Sequence, residues 1–126
     1  MKLLLDTHIV LWWLGDDKKL SEYGRQLIQN PDNEVFVSHV SLWEIQIKNM
    51  SGKLNTNVEA LTQQLPVNNF QQFPIHTNHI LFLAKLPLLH QDPFDRMLIS
   101  QALSEPLHLI THDKNVSHYS ESIILV

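Results

Sequence analysis

Short β-rich runs alternate with helical segments along the chain, and this alternation narrows the possible folds more than any other feature of the sequence. The first run, residues 2–5, is apolar, too short for helical periodicity and ends abruptly at Asp6. The predicted strands are 2–5, 34–37, 73–75, 107–111 and 122–126, with 73–75 expected at a sheet edge. Such alternation is typical of a mostly parallel sheet with helices on both faces. The sequence therefore predicts the α/β class, built as an α/β/α sandwich.

The helical segments between these runs carry recognisable start and stop signals. The clearest helix has Asp92 as N-cap and Pro93 at its first position, and it ends before Pro106. Ser41 precedes Glu44 by the spacing of a capping box, which predicts that Glu44 lies in the first turn of its helix. The other helices are predicted over 8–14, from Ser21 to Asn30, around 58–65, and from a Thr77 cap to Leu86.

The composition is that of an ordinary globular chain of 126 residues, which predicts a single domain over residues 1–126. Cysteine is absent, so disulfides, thiolate zinc sites and a cysteine nucleophile are excluded. No apolar run approaches the roughly 20 residues that span a bilayer, and Asp6 interrupts the first run too early for a signal peptide. We therefore expect a soluble cytoplasmic protein with no membrane partner.

Four carboxylates occupy positions that a parallel sheet brings to one edge. Asp6 and Asp113 follow apolar strands directly, while Glu44 and Asp95 are predicted in the first turns of helices. Two carboxylates about 4 Å apart repel by roughly 4 kcal/mol at an effective dielectric of 20, so four ionised together require a cation. All-oxygen ligation favours Mg²⁺ or Mn²⁺ over zinc, and such an ion promotes phosphodiester hydrolysis.

The net charge of −4 ordinarily argues against a nucleic-acid partner. With the four carboxylates set aside as a metal site, nine acids remain against nine bases, so the rest of the chain is formally neutral. Affinity for RNA then depends on local placement of basic residues. The candidates for phosphate contact are Lys48, Lys53, Arg96 and Lys114, with Arg96 ranked first.

Each of these residues also has a purely structural interpretation. Asp95 and Glu44 are typical helix-start residues, Asp113 suits a turn, and the basic side chains are ordinary solvated charges. His76 and His79 have no third ligand at a matching helical offset, so a capping or surface role is favoured for them. Trp12 and Trp13 could stack on bases, but adjacent helix positions face apart, which favours a core or interface role for at least one.

Four sequence blocks contain the acids: LLLDTHIVLWWL, VSLWEIQIKNMSGKL, HQDPFDRMLISQAL, and LITHD followed by a tyrosine. These blocks resemble PIN-domain ribonuclease toxins of the VapC type. The resemblance runs nearly end to end, and each block contains one of the four acids. It implies a PIN-like fold, Mg²⁺- or Mn²⁺-dependent endoribonuclease activity, inhibition by a cognate antitoxin and frequent homodimers.

The resemblance assigns metal binding to Asp6, Glu44, Asp95 and Asp113. Asp92 then caps its helix and orients neighbours, and Thr111 and Ser41 are expected to hydrogen-bond the acids. Besides RNA, the antitoxin is a possible partner of Arg96, Lys48 and Lys114. The chain departs from the family in having Val116 where an aromatic residue is frequent, although Tyr119 fits a later aromatic position.

Other functions compete with this interpretation. An aspartyl phosphatase of the dehalogenase-like class would need a second acid two residues after Asp6 and a late lysine, and a receiver domain would need paired acids near the first strand. Neither pattern is present. A catalytically silent PIN-like binding or regulatory module stays open as the alternative, although retention of all four acids argues against it.

Overall fold

The computed structural model describes residues 1–126 and is built on a sheet of five parallel strands. The strands are β1 (Lys2–Leu5), β2 (Glu34–Ser38), β3 (Phe70–Phe73), β4 (His108–Thr111) and β5 (Ile124–Leu125), arranged in the order β3-β2-β1-β4-β5. Leu4 is in register with Phe36 of β2 and Leu109 of β4, which places β1 at the centre. The predicted α/β sandwich is confirmed, and the sheet is entirely rather than mostly parallel.

Helices connect the strands and cover both faces of the sheet. They are α1 (Thr7–Leu14), α2 (Glu22–Gln29), α3 (His39–Met50), α4 (Val58–Val67), α5 (Thr77–Phe82) followed by the 3₁₀ turn Leu83–Lys85, α6 (Pro93–Ser104) and α7 (Lys114–Ser117). None of them combines the length and the apolar character that crossing a membrane requires.

Alternation along β1 divides the core between the two faces. Leu3 and Leu5 pack with Ile9 of α1 and with residues of α2 and α4, whereas Leu4 packs with Leu98 of α6 and Val116 of α7. All of these side chains are buried because successive residues of a strand point to opposite faces, both of which are covered. Both cores therefore hold the strand ends in fixed positions at the carboxyl edge.

Three sequence predictions about element boundaries were wrong. Helix α3 begins at His39 with Ser38 as N-cap, so Ser41 is not a capping residue and Glu44 lies in the second turn. The N-cap of α5 is His76 rather than Thr77, and the α-helix ends at Phe82. The third strand lies at the edge as expected but at Phe70–Phe73, three residues before its predicted start. Local caps set the starts of α3 and α5, through Ser38 and through a capping box of His76 with His79, whereas pairing with β2 sets the position of β3.

Candidate functional site

The carboxyl edge of the sheet holds an open cleft of about 520 Å³. Its lining is strongly acidic, with five carboxylates and two lysines. The lining residues are Asp6, His8, Trp12, Glu44, Lys48, Asp92, Asp95, His112, Asp113 and Lys114. The structure thus brings together all four acids predicted as metal-site residues, together with Asp92, Lys48 and Lys114.

Asp6 lies at the end of the central strand and is almost completely buried, at 6% exposure. Its Oδ1 accepts the backbone N–H of Thr7 at 2.7 Å, and its Oδ2 accepts the hydroxyl of Thr111 at 2.6 Å. Burial raises the pKa of Asp6 above its ordinary value, although both hydrogen bonds oppose the rise. The carboxylate is therefore rigidly oriented and poorly solvated.

Thr111 also connects Asp6 to a second acid. Its hydroxyl oxygen accepts the backbone N–H of Asp113 at 3.1 Å while its proton goes to Asp6. Asp113 caps α7 by accepting the N–H of Asn115 with Oδ1 at 2.8 Å, which leaves its second oxygen uncommitted to the cap. The end of β4 thus orients Asp6 through Thr111, and the turn that follows supplies Asp113.

Glu44 reaches the cleft from α3 and is buried at 3% exposure. Its Oε1 accepts the Thr7 hydroxyl at 2.7 Å, and its Oε2 pairs with Lys48 Nζ at 2.5 Å. Ser41 does not touch an acid; its Oγ lies 3.0 Å from Thr7 Oγ1, so any effect of Ser41 on Glu44 passes through Thr7. Burial alone would lower the pKa of Lys48, but its hydrogen bond to Glu44 and the surrounding acids raise it.

Asp95 occupies the first turn of α6, where Asp92 caps the helix. Asp92 Oδ1 accepts the backbone N–H groups of Phe94 and Asp95 at 2.8 and 3.0 Å, as the sequence predicts for an N-cap. Burial, followed by the negative charge of Asp6, raises the pKa of Asp95 to about 7 despite a hydrogen bond from His90. A carboxyl group with this pKa is a marker of a functional site.

His90 is a site residue that sequence reasoning missed. Its Nε2 lies 2.7 Å from Asp95 Oδ2, and ligand atoms of His90, Asp95 and Asp113 all lie within 4.8 Å of one another. The loop before α6 carries His90, and the backbone N–H of His90 donates to the hydroxyl of Tyr119 at 2.8 Å. No periodicity rule relates a loop residue to a helix start, so the available signal was only the nearness of His90 to Asp92 in sequence.

Arg96 does not line the cleft. Its guanidinium donates to the carbonyl of Pro87 at 2.9 Å and to the hydroxyl of Tyr119 at 3.2 Å. Arg96 therefore braces the loop that carries His90, and this placement gives no support to the predicted contact with phosphate. Lys53 is exposed beyond the end of α3 and also lies outside the cleft lining.

The two adjacent tryptophans of α1 have different surroundings. The indole N–H of Trp13 donates to Asn68 at 3.0 Å, and its ring packs on Phe70 at 6.1 Å between centroids. Trp12 instead lines the acidic cleft beside His8 and His112. The expectation that at least one of the pair packs structurally agrees with the position of Trp13.

The donor set fits a hard divalent cation. Oxygen ligands predominate, thiolates are absent, and the imidazole of His90 is compatible with Mn²⁺. Burial is the largest cause of the raised pKa values of Asp6 and Asp95, and the neighbouring acids add to it, so a bound cation would stabilise both ionised carboxylates. The cleft therefore combines a candidate cation site with two lysines, Lys48 and Lys114.

Comparison with known proteins agrees with this architecture. Residues 3–122 match the family model of the PIN domain. The ribonuclease VapC22 of Mycobacterium tuberculosis is 26% identical over 117 residues, covering 90% of this chain and 88% of that protein. The solved VapBC2 of Rickettsia felis, bound to a DNA fragment from its promoter, has a TM-score of 0.72 at 16% identity and covers 100% of this chain and 98% of that one.

VapBC-1 of nontypeable Haemophilus influenzae has the same fold, with a TM-score of 0.67 at 20% identity, covering 100% of this chain and 97% of that chain. These structural likenesses extend over the whole sheet and its helices. Because the segment matched by the family model runs from the first strand to the turn before the last one, the chain belongs to the PIN domain family.

Proposed function

We propose that residues 1–126 act as a single PIN domain that hydrolyses RNA phosphodiester bonds, with Mg²⁺ or Mn²⁺ as cofactor. The observation that carries the proposal is the convergence of Asp6, Glu44, Asp95 and Asp113 in one cleft, where burial and mutual charge raise the pKa of Asp95 to about 7. Similarity to a protein named as a ribonuclease supports the same reaction.

Asp6 and Asp95 are the acids best placed to hold the cation, since each has a raised pKa that a positive charge would offset. Glu44 and Asp113 complete the acidic wall, and His90 is a further candidate ligand. A bound Mg²⁺ or Mn²⁺ polarises a phosphodiester and acidifies a water molecule.

The remaining residues orient the acids and meet the substrate. Thr111 fixes Asp6, Thr7 fixes Glu44, and Asp92 fixes the first turn of the helix that carries Asp95. Lys48 and Lys114 line the same cleft and are the proposed contacts to phosphate groups flanking the scissile bond. An acidic cleft without these lysines would repel RNA until the cation was bound.

We further propose that the chain is the toxin of a toxin–antitoxin pair acting in the cytoplasm, with a cognate antitoxin as protein partner and a homodimer as its assembly. Similarity to the VapBC structures supports the antitoxin partner. Co-expression with the protein encoded by the neighbouring gene should yield a complex that copurifies and lacks nuclease activity.

The reaction is tested with purified chain, freed of any antitoxin, on single-stranded and structured RNA. We expect cleavage with Mn²⁺ or Mg²⁺ that stops on addition of EDTA. Asp6→Asn and Asp95→Asn should abolish cleavage while the fold stays intact by circular dichroism. Asp32→Asn, an exposed acid outside the cleft, is the matched control and should cleave normally. Cleavage that persists in chelator would rule out the metal mechanism.

A catalytically silent PIN-like binding module is the alternative. In that case the wild-type protein and Asp95→Asn would bind RNA or antitoxin equally well. Neither protein would cleave RNA with any metal ion. The buried, mutually repelling acids argue against it, because a pure binding surface gains nothing from carboxylates held at a raised pKa.

A further inference from the structure

Part of the lining of the acidic cleft is aromatic. His8 and Trp12 are four residues apart on α1 and so lie on one helix face, with ring centroids 5.9 Å apart. His112, from the turn after β4, meets the edge of Trp12 at 5.2 Å and an interplanar angle of 71°. All three rings line the cleft that contains the four acids.

The fold restrains two of the three rings, because Trp12 packs against the hydrophobic core and His112 contacts a backbone carbonyl. The α1 helix that carries His8 and Trp12 begins directly after Asp6, and the ring of His112 is oriented by a contact between its Nδ1 and the Val126 carbonyl at 2.6 Å. His8 and His112 are exposed, and Trp12 is half-buried. An incoming planar group therefore meets a preformed aromatic surface and loses little entropy in ordering it.

The charge of the cleft restricts what can occupy this wall. Five carboxylates and two lysines leave the cleft acidic overall, so a phosphate is tolerated only near a cation or a lysine. A nucleobase is uncharged and planar, and it gains from stacking on an aromatic ring irrespective of its identity. The base of a nucleotide whose phosphate lies near the acids is the occupant that satisfies both conditions.

We propose that Trp12, flanked by His8 and His112, is a stacking platform for one unpaired nucleobase beside the scissile phosphate. The proposal rests on the proposed nuclease function and defines its specificity. Bases inside a duplex are already stacked on their neighbours and would have to be unpaired first. Duplex RNA is therefore a poor ligand.

Binding is measured in the Asp95→Asn background, so that no cleavage occurs, with Mg²⁺ present. The probes are fluorescently labelled oligoadenylate, an abasic ribose-phosphate oligomer of the same length, and an oligoadenylate–oligouridylate duplex. Two variants separate stacking from packing. Trp12→Phe keeps an aromatic ring, whereas Trp12→Leu keeps apolar packing without one. Trp43→Leu, an exposed tryptophan outside the cleft, is the matched control.

We expect Trp12→Leu to weaken oligoadenylate binding by roughly 5- to 150-fold, the effect of removing one base–aromatic stack, and Trp12→Phe to retain most of the affinity. Binding of the abasic oligomer should be unchanged in every variant, and the duplex should bind more weakly than the single strand. The stacking proposal would be overturned if Trp12→Leu lost affinity equally for oligoadenylate and the abasic oligomer, or if it lost no affinity for oligoadenylate. Because cleavage is not the readout, failure of the nuclease function would appear separately, as an inactive wild-type protein.

Discussion

The hydroxyl of Thr111 donates to Asp6 Oδ2 at 2.6 Å and so joins the ends of the neighbouring strands β1 and β4 at the acidic cleft. Both residues are buried, so bulk solvent has little access to this hydrogen bond. The orientation of Asp6 therefore depends on a side chain from the neighbouring strand, which gives the first of four predictions.

Thr111→Val, which keeps the shape of the side chain and removes its hydroxyl, should lower affinity for Mn²⁺ by about 10- to 100-fold, the usual cost of losing a group that orients a metal ligand. Isothermal titration calorimetry measures the loss. Thr77→Val, at an exposed helix start, serves as control and should bind Mn²⁺ as wild type does. Unaltered affinity in Thr111→Val would show that Asp6 needs no such support.

His90 provides the second prediction, which concerns metal preference. An imidazole is a suitable ligand for Mn²⁺ and a poor one for Mg²⁺. Since ligand atoms of His90, Asp95 and Asp113 lie within 4.8 Å of one another, His90→Ala should reduce Mn²⁺ affinity more than Mg²⁺ affinity. His118→Ala, an exposed histidine outside the cleft, should change neither. Equal losses for the two ions would limit His90 to a hydrogen-bonding role.

The third prediction concerns pH and the stability of the metal-free protein. Because the pKa of Asp95 is about 7 in the folded state and ordinarily 3.8, the folded chain binds more protons than the unfolded chain between these two pH values. The free energy of unfolding should therefore fall as pH rises from about 4 to 7, by up to about 4 kcal/mol from this group.

Thermal denaturation in EDTA at a series of pH values tests this dependence. Asp95→Asn should flatten the profile, because the amide does not titrate. Added Mn²⁺ should raise the melting temperature more at pH 8 than at pH 5, since protons and the cation compete for the same carboxylates. A metal-free protein whose stability increased steadily over this range would contradict the predicted direction.

Lys48 leads to the fourth prediction. If its ammonium group contacts an RNA phosphate, Lys48→Met should weaken RNA binding and reduce the slope of log affinity against log salt concentration by about 1. Lys53→Met removes a nearby exposed charge outside the cleft and should leave the slope unchanged. An unchanged slope in Lys48→Met would restrict Lys48 to its ion pair with Glu44.

The fold was largely predictable because the strands are short apolar runs with polar ends. Residues 2–5 have too few positions for helical periodicity, and Asp6 ends the run, so the strand and its terminal acid were both evident. Strand β3 was misplaced because its two central residues, Gln71 and Gln72, are exposed at the sheet edge and carry no apolar alternation.

The four acids were found by their positions at strand ends and on helices, but their supporting contacts were only partly foreseen. Thr111 was expected to hydrogen-bond an acid and does so, whereas Ser41 contacts Thr7, which was overlooked. His90 lies only five residues before Asp95, but in a loop without periodicity. Thr7 instead acts over 37 residues to Glu44, and Thr111 acts over 105 residues to Asp6. A local pattern contains no information about such pairs.

The hydrogen bond between Asp6 and Thr111 connects residues 105 positions apart, and Asp113 lies further along still. The cleft therefore cannot form until β4 has docked beside β1. A chain still being synthesised, or one cut before β4, holds scattered acids with no common cation site. The complete acidic cleft is thus a late product of folding, and it is present only after nearly the whole chain has folded.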